Sequence, residues 1–202
     1  MVDSGELMRY AAAVGFSSIG LDVGCLSYEE RITTVSRAAR WLAANYVFVE
    51  AGLGPVHDWP AVSPDGKAAN TTARLAADFV ARTNIDTFNV TAINTAERAF
   101  GVVPYVPVIS RLREHVQVPL ACQLDPSMSK EDLQLLVQAG IVKVDVGTAL
   151  DITFSSTLRH SLRSDTTVDP RSYLAESRTA LTEAVSVIIE AISCRDLSRP
   201  VS

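Results

Sequence analysis

Short apolar runs alternate along the chain with longer segments in which apolar residues recur every three or four positions. Short runs bounded by turn residues are typical of strands, and the longer period is typical of amphipathic helices. The pattern predicts strands at residues 18–22, 46–50, 87–93, 118–122 and 141–146. It predicts helices at residues 27–45, 72–83, 109–115, 130–139 and 171–194. Residues 58–67, with two prolines and a glycine, are predicted to form a loop.

Strands that alternate with helices at this spacing indicate βα units, whose parallel strands are buried on both faces. The predicted fold class is therefore α/β. With 202 residues, 48% of them hydrophobic, the chain is long enough for one sizeable core, and we expect a single domain over residues 1–202. Periodicity alone does not separate a closed barrel from an open doubly wound sheet. The sequence contains no GxGxxG and no P-loop motif, which argues against nucleotide binding.

The apolar runs, the net charge and the cysteine content predict the location of the protein and exclude some classes of partner. No run approaches the roughly 20 apolar residues that a membrane span needs, and the first residues lack a signal-peptide pattern. The net charge is −5 and no basic stripe is present, which argues against a nucleic-acid partner. Three well-separated cysteines, Cys25, Cys122 and Cys194, favour reduced thiols. We expect a cytoplasmic protein in which Cys25 is a small buried side chain.

Five motifs, in the same order and spacing, resemble those of the class II, zinc-dependent ketose-bisphosphate aldolases. Residues 15–32 resemble the family's GFTSVMFDGSHLPFEENI, 49–54 its VEAELG, 71–86 its TxPEEAxxFVxxTGVD, 140–150 its GIAKINIDTDL and 169–174 its DPRKYL. The resemblance implies a TIM (β/α)8 barrel with its active site at the C-terminal ends of the strands. It also implies a phosphosugar-like ligand and reversible cleavage of fructose or tagatose bisphosphate to dihydroxyacetone phosphate and an aldehyde. In the family, zinc held by three histidines assists this reaction.

The same alignment implies that the zinc site is lost. The family's TSHG motif falls on residues 94–97 and puts Ala96 where a zinc histidine belongs. The HGGSG loop falls on residues 123–127 and puts Gln123 at a second histidine. Met1 aligns at or just after the end of the HLDH motif, which holds the third histidine and the catalytic aspartate. Because alanine cannot bind a metal and glutamine is a poor zinc ligand, we expect no metal site, no cofactor and an inactive zinc aldolase.

Five residues remain as candidates for a site. Asp22, at the FDGS aspartate, and Glu50, at the first glutamate of VEAELG, are the candidate catalytic groups. Thr148, Asp145 and Gln123 are the candidate substrate-binding residues. As structural alternatives, the two acids could accept hydrogen bonds from loop amides, and Thr148 could cap the helix that follows. The alternative function is a rebuilt, metal-free lyase or isomerase that uses these carboxylates as acid and base.

On this alignment the barrel is incomplete. The chain contains about strands four to eight and lacks the first three βα units, so the strands at residues 18–22 and 141–146 lose their neighbours. Unpaired strand edges invite another chain, and we expect self-association or a partner that completes the barrel. A shortened gene model and a decaying remnant remain open as alternatives. The three histidines, His57, His115 and His160, match no family ligand and are predicted to be structural or exposed.

Overall fold

A single parallel sheet organises the fold. A computed structural model describes residues 4–53, 67–90, 106–124, 126, 128–164 and 168–193. The sheet has five strands in sequential order, each paired in parallel with the next. They are β1 (Ser18–Leu21), β2 (Phe48–Ala51), β3 (Thr87–Asn89), β4 (Leu120–Gln123) and β5 (Ile141–Asp145). Within the described residues β1 and β5 are the two edges, and the predicted α/β class with a parallel sheet is confirmed.

Helices connect the strands. In the described ranges they are α1 (Ser4–Ala13), α2 (Tyr28–Ala44), α3 (Lys67–Thr83), α4 (Val106–His115), α5 (Lys130–Ala139), α6 (Thr148–Ser164), α7 (Pro170–Tyr173) and α8 (Ala175–Ile192). Local sequence signals determine where some helices begin and end. Ser129 accepts a hydrogen bond from the backbone N–H of Asp132 at 3.0 Å and caps α5, which ends at Gly140 with φ of 128°. None of the described helices has the length and apolar character needed to cross a membrane.

The structure confirms most predicted elements and changes a few. Helix α5 has the predicted bounds, and each predicted strand within the described residues is present to within two residues at either end. The predicted helix at 171–194 is divided at Leu174 into α7 and α8. The predicted helices include neither α1 nor α6, although the interpretation of Thr148 as a cap implies a helix after that residue. Residues 91–93 of the third predicted strand and 58–66 of the predicted loop lie outside the described residues, and Lys67 already belongs to α3.

The two faces of the sheet differ in character, since successive strand residues point to opposite sides. The outer face, which includes Val49, Phe88 and Leu120, is buried in the main apolar core. There Phe88 meets Phe79 of α3 edge to face, with ring centroids 6.3 Å apart. The opposite side, which we call the inner face, carries Glu50 and other polar residues of the strands.

A bulge in β5 decides which of its residues reach the inner face. Ile141 pairs with Leu120, but Lys143 pairs with Ala121, so Val142 is an extra residue in the ladder. Leu120 and Ala121 are consecutive and point to opposite faces. The bulge therefore sends Ile141 to the outer face and Lys143 to the inner face, although two residues so spaced would share a face in a regular strand.

Candidate functional site on the inner face

Four polar side chains meet on the inner face of the sheet. Lys143 of β5 donates a hydrogen bond to Oε2 of Glu50 on β2 at 2.8 Å. Its ammonium group also binds Oδ1 of Asp145 on the same strand. The side-chain amide of Asn89 on β3 donates to the other oxygen of Glu50. We call Glu50, Asn89, Lys143 and Asp145 the inner-face network.

The network shows that the inner face is concave. Strands β3 and β4 lie between β2 and β5, and three inter-strand spacings of about 4.8 Å separate backbones by roughly 14 Å in a flat sheet. Side chains that stand upright on a flat sheet remain that far apart. Contact between Glu50 and Lys143 therefore requires the strands to curve, so that their inner-face side chains converge as they do inside a barrel.

The charge balance of the network keeps Lys143 protonated. Partial burial works to lower the pKa of Lys143, but its hydrogen bonds with Asp145 and Glu50 outweigh that effect and raise the pKa overall. A protonated ammonium is a cation and hydrogen-bond donor but not a nucleophile. Lys143 is therefore the central ion-pair partner of two carboxylates, and Glu50, at 7% exposure, is the more deeply buried of them.

A glycine at the end of β2 lets β2 and β3 approach each other. A Cβ atom added at Gly52 would lie 2.2 Å from the backbone oxygen of Asn89, a distance that no side chain tolerates. This close approach places Asn89 beside Glu50. The corresponding position of the VEAELG motif carries a glutamate, and the described backbone could accept that side chain only if the two strands moved apart.

Asp22 is exposed, just after β1, and its Oδ1 accepts a hydrogen bond from the backbone N–H of Gly24 at 3.1 Å. This is the structural alternative for Asp22, a carboxylate that accepts from a loop amide. The register of β1 with β2 pairs Gly20 with Glu50, so Asp22 lies at the same carboxyl end of the sheet as Glu50. Among the described residues no hydrogen bond links Asp22 to the inner-face network.

Two of the candidate substrate-binding residues lie at the carboxyl ends of the strands near the network. Gln123 is the last residue of β4, is exposed, and pairs in register with Asp145. Asp145 belongs to the network itself. Thr148 is exposed and is the first residue of α6. Glu50, Gln123 and Asp145 therefore share the inner face, whereas Asp22 and Thr148 lie at its margins.

Three residues near this site were not among the sequence-based candidates. Asn89 and Lys143 both carried a signal, because a polar side chain inside an apolar parallel strand needs a partner. Arg31, in the first turn of α2, is a charged residue that the sequence would place on the surface, but it is only 5% exposed. Its guanidinium donates to the carbonyl of Gly24 at 3.0 Å and to that of Leu53, which ties together the loops after β1 and β2.

Comparison with known proteins identifies the family. The sequence model described as class-II fructose-bisphosphate aldolase matches residues 2–196. The chain belongs to this family. The assignment made from the five motifs is thereby confirmed.

Solved structures of aldolases have a similar fold. The YdjI aldolase from Escherichia coli K12 superposes with a TM-score of 0.74 at 25% identity, over 98% of this chain and 68% of that one. A putative fructose-1,6-biphosphate aldolase from Coccidioides immitis gives 0.75 at 20% identity, over 95% and 69%. Fructose-bisphosphate aldolase from Campylobacter jejuni gives 0.66 at 18% identity, over 92% and 63%. The chain thus spans about two thirds of the length of each.

The described residues of this class II aldolase homologue do not fit a zinc ion. Within the described ranges, no three His, Cys, Asp or Glu side chains come close enough together to hold a metal. His115 is at the end of α4 with Nδ1 2.9 Å from the carbonyl of Arg111, and His160 is exposed on α6. Both are remote in the fold from the strand ends that carry the inner-face site. His57 and Ala96 lie outside the described residues.

Neither described cysteine is arranged as a nucleophile or metal ligand. Cys25 is exposed, so the expectation that it is a small buried side chain is wrong; it lies in the loop after β1 rather than in the strand. Cys122 is on the outer face of β4, where burial raises the pKa of its thiol to about 12, with a smaller contribution from Asp145. A thiol held neutral in this way is inert at neutral pH. Cys194 lies outside the described residues.

Proposed function

We propose that this class II aldolase homologue does not carry out zinc-dependent aldol cleavage and acts instead as a non-catalytic interaction or regulatory protein. The observation that carries the proposal is Gln123, which aligns with a zinc histidine, lies exposed at the end of β4 and is a poor zinc ligand. Beside it, the inner-face network offers no free cation in place of the metal, because protonated Lys143 is paired with two carboxylates.

The chemistry of aldol cleavage explains why this arrangement argues for inactivity. When a class II enzyme breaks the carbon–carbon bond, negative charge develops on the ketone oxygen, and bound zinc supplies the charge that stabilises it. Lys143 is the one cation of the network, and both adjacent carboxylates already neutralise it. The network as a whole carries a net charge near −1, which also disfavours a phosphate beside it.

The same contacts weigh against the rebuilt, metal-free enzyme. A general base needs a carboxylate oxygen that is free to take a proton from the substrate. Both oxygens of Glu50 already accept hydrogen bonds, one from Asn89 and one from Lys143. With both oxygens engaged and only 7% of the residue exposed, Glu50 is poorly placed to reach a substrate proton. We infer that Glu50 and Asp145 support the scaffold, and that any retained phosphosugar-like ligand makes its contacts through Gln123 and Thr148.

We further propose that the chain corresponds to about strands four to eight of an incomplete barrel, and that another chain or a second copy completes it. Support comes from the sheet order, in which β1 and β5 are edges within the described residues and are not bonded to each other. The inner face is curved like an arc of a barrel. Phe16, just before β1, is an exposed apolar side chain beside this edge.

Zinc content and aldol cleavage test the catalytic part of this proposal. The purified 202-residue protein would be dialysed against a weak chelator, and zinc per chain measured by elemental analysis. We expect far less than one zinc per chain and no release of dihydroxyacetone phosphate from fructose or tagatose bisphosphate above the blank. A zinc-replete class II aldolase treated in parallel is the control and should retain its metal.

Two outcomes would overturn the proposal in different ways. Near-stoichiometric zinc together with cleavage would restore the metal aldolase. Cleavage without zinc that is lost in Glu50→Gln but kept in Glu190→Gln, a surface carboxylate on α8, would establish the metal-free alternative.

A further inference from the structure

A cavity of about 890 Å³ lies along the open edge of β1, between α1 and α2. Its apolar walls include Met8 of α1, Ile19 and Leu21 of β1, and Trp41 of α2. Helix α1 contributes only partly buried side chains, such as Met8 and Ala12, to the apolar core. A Cβ atom added at Gly20 would meet no atom within 4 Å. We call this space the β1 slot.

The backbone of β1 presents hydrogen-bonding groups to the β1 slot. The carbonyl of Ser17 points towards β2, where it accepts from the backbone N–H of Phe48 at 2.9 Å. Because alternate residues of a strand direct their N–H and C=O groups to opposite sides, those of Ser18 and Gly20 point to the open edge. Both residues line the slot. An edge with exposed amides and a groove beside it is the arrangement that binds an added strand.

The position of α1 limits the kind of polypeptide that can enter the β1 slot. Gly5, Met8 and Ala11 of α1 line the cavity opposite β1 and α2, so α1 already covers the place where a helix would pack beside a new strand. Strand β5 of a second copy is joined to α5 and α6, which would compete with α1 for that place. A lone extended segment avoids this conflict, whereas a whole second copy does not.

The charged residues that line the β1 slot indicate which side chains a bound segment would carry. Of the described residues that line the slot, Arg9 and Arg37 are basic and Asp22 is the one acid. This part of the surface is therefore basic on a chain whose net charge is −5. A segment that places apolar side chains against Met8 and Trp41 and a carboxylate near the two arginines matches the slot in both shape and charge.

We propose that the β1 slot binds an extended segment of another polypeptide, which adds to β1 as a further strand and carries an acidic side chain for Arg9 and Arg37. The inference rests on the proposed completion of the sheet by another chain, and names the edge and the chemistry of the partner. It does not depend on whether zinc chemistry is lost. A result in the zinc and cleavage assays therefore leaves it unaffected.

Selection from a random-peptide display library on the full 202-residue chain tests the proposal. Gly20→Pro removes the N–H that faces the slot and blocks strand addition, while the bonds to β2 come from the alternate residues. Gly20→Ala is the matched control, because it keeps that N–H and its methyl group meets open space. We expect the selected peptides to alternate apolar and polar residues with an aspartate or glutamate. They should bind Gly20→Ala like the unaltered chain and Gly20→Pro at least about tenfold more weakly.

A second measurement keeps the test decisive if Gly20→Pro does not fold, as circular dichroism would show. Hydrogen exchange of the Ser18 and Gly20 amides in the unaltered chain should slow when a selected peptide is bound. Failure to select any peptide, equal binding to both Gly20 variants, or unchanged exchange at these amides would each overturn the proposal. A concentration-dependent dimer in sedimentation that is absent in Gly20→Pro would also overturn the proposal, because the occupant of the slot would then be a second copy of the chain.

Discussion

The two faces of the sheet differ in the kind of side chain that they bury. Phe88 of β3 lies on the outer face and is completely buried, whereas Phe48 of the neighbouring β2 lies on the inner face and is 61% exposed. On the outer face apolar side chains pack against helices. On the inner face the buried contacts are between charged and amide groups, with Glu50 at their centre.

This difference indicates that the fold of this family and the chemistry of its members depend on different faces of the sheet. Apolar burial on the outer face supplies the main stabilisation, and it depends on side-chain volume rather than on any catalytic group. Barrel enzymes place their chemistry at the carboxyl ends of the strands, where Gln123 and Asp145 of the inner face lie. Here its polar groups are engaged with one another, so the fold is supported by both faces.

The largest expected effect comes from the outer face. Phe88→Ala should lower the free energy of unfolding by about 3–5 kcal/mol, because it removes a fully buried ring and its edge-to-face contact with Phe79. Phe48→Ala is the control on the inner face and should change it by less than about 1 kcal/mol. Urea titration followed by circular dichroism measures both. Equal losses would show that the two faces are equally buried in solution.

A smaller effect is expected in the inner-face network. Lys143→Met leaves the buried Glu50 carboxylate without its cation, but the lysine side chain is 47% exposed and solvent screens the pair. We therefore expect a loss of about 1–2 kcal/mol in the free energy of unfolding, less than for a fully buried pair. Adding Glu50→Gln should restore part of it, since the unpaired charge is then removed.

Lys130→Met serves as the control for Lys143→Met. Its ion pair with Glu190 spans 3.1 Å between two partly exposed side chains, and its removal should cost less than about 0.5 kcal/mol. If both lysine variants lose the same small amount, or the Glu50 change restores nothing, the network contributes no more than a surface ion pair.

The smallest effect concerns alkaline pH. Burial raises the pKa of Cys122 to about 12 from an ordinary value of 9.0, so the folded chain holds this proton more tightly than the unfolded chain does. The stabilisation is complete below about pH 9 and is lost as the pH rises from there towards 12. Burial and the hydrogen bond to Asp78 also raise the pKa of Tyr28, and the pKa of Lys143 is raised too. Both groups therefore also lower the stability of the folded chain as the pH rises.

Melting temperatures measured between about pH 8 and pH 11 test this dependence. Cys122→Ala should flatten the decline without abolishing it, because Tyr28 and Lys143 remain. Cys25→Ala, at an exposed thiol, should leave the curve unchanged. A Cys122→Ala curve parallel to that of the unaltered chain would mean that this thiol does not contribute.

Local sequence signals were sufficient for much of the fold. Helix α5 begins at the Ser129 cap and ends at Gly140 because both signals act within one turn of the chain. The strands follow from short apolar runs, and the family follows from motif order. The single domain over residues 1–202 and the cytoplasmic location remain predictions.

The candidate site was only partly predictable. Glu50 and Asp145 were candidates from the motifs. Lys143 matches the lysine of GIAKINIDTDL but was not a candidate, and its place on the inner face depends on the bulge at Val142. Bulges arise from the pairing of two strands, so one strand's residues do not reveal them. Arg31 was missed for a similar reason, since its carbonyl acceptors belong to loops that only the folded chain brings near.

The sequence by itself determined the alternation of strands and helices and the family, because both depend on residue type and spacing along the chain. Only the tertiary structure decided that Glu50, 93 residues from Lys143, is its ion-pair partner. It also decided that β1 is an edge strand within the described residues and that a slot between α1 and α2 lies beside it. Both depend on strand register and sheet curvature, which arise when distant segments pack together.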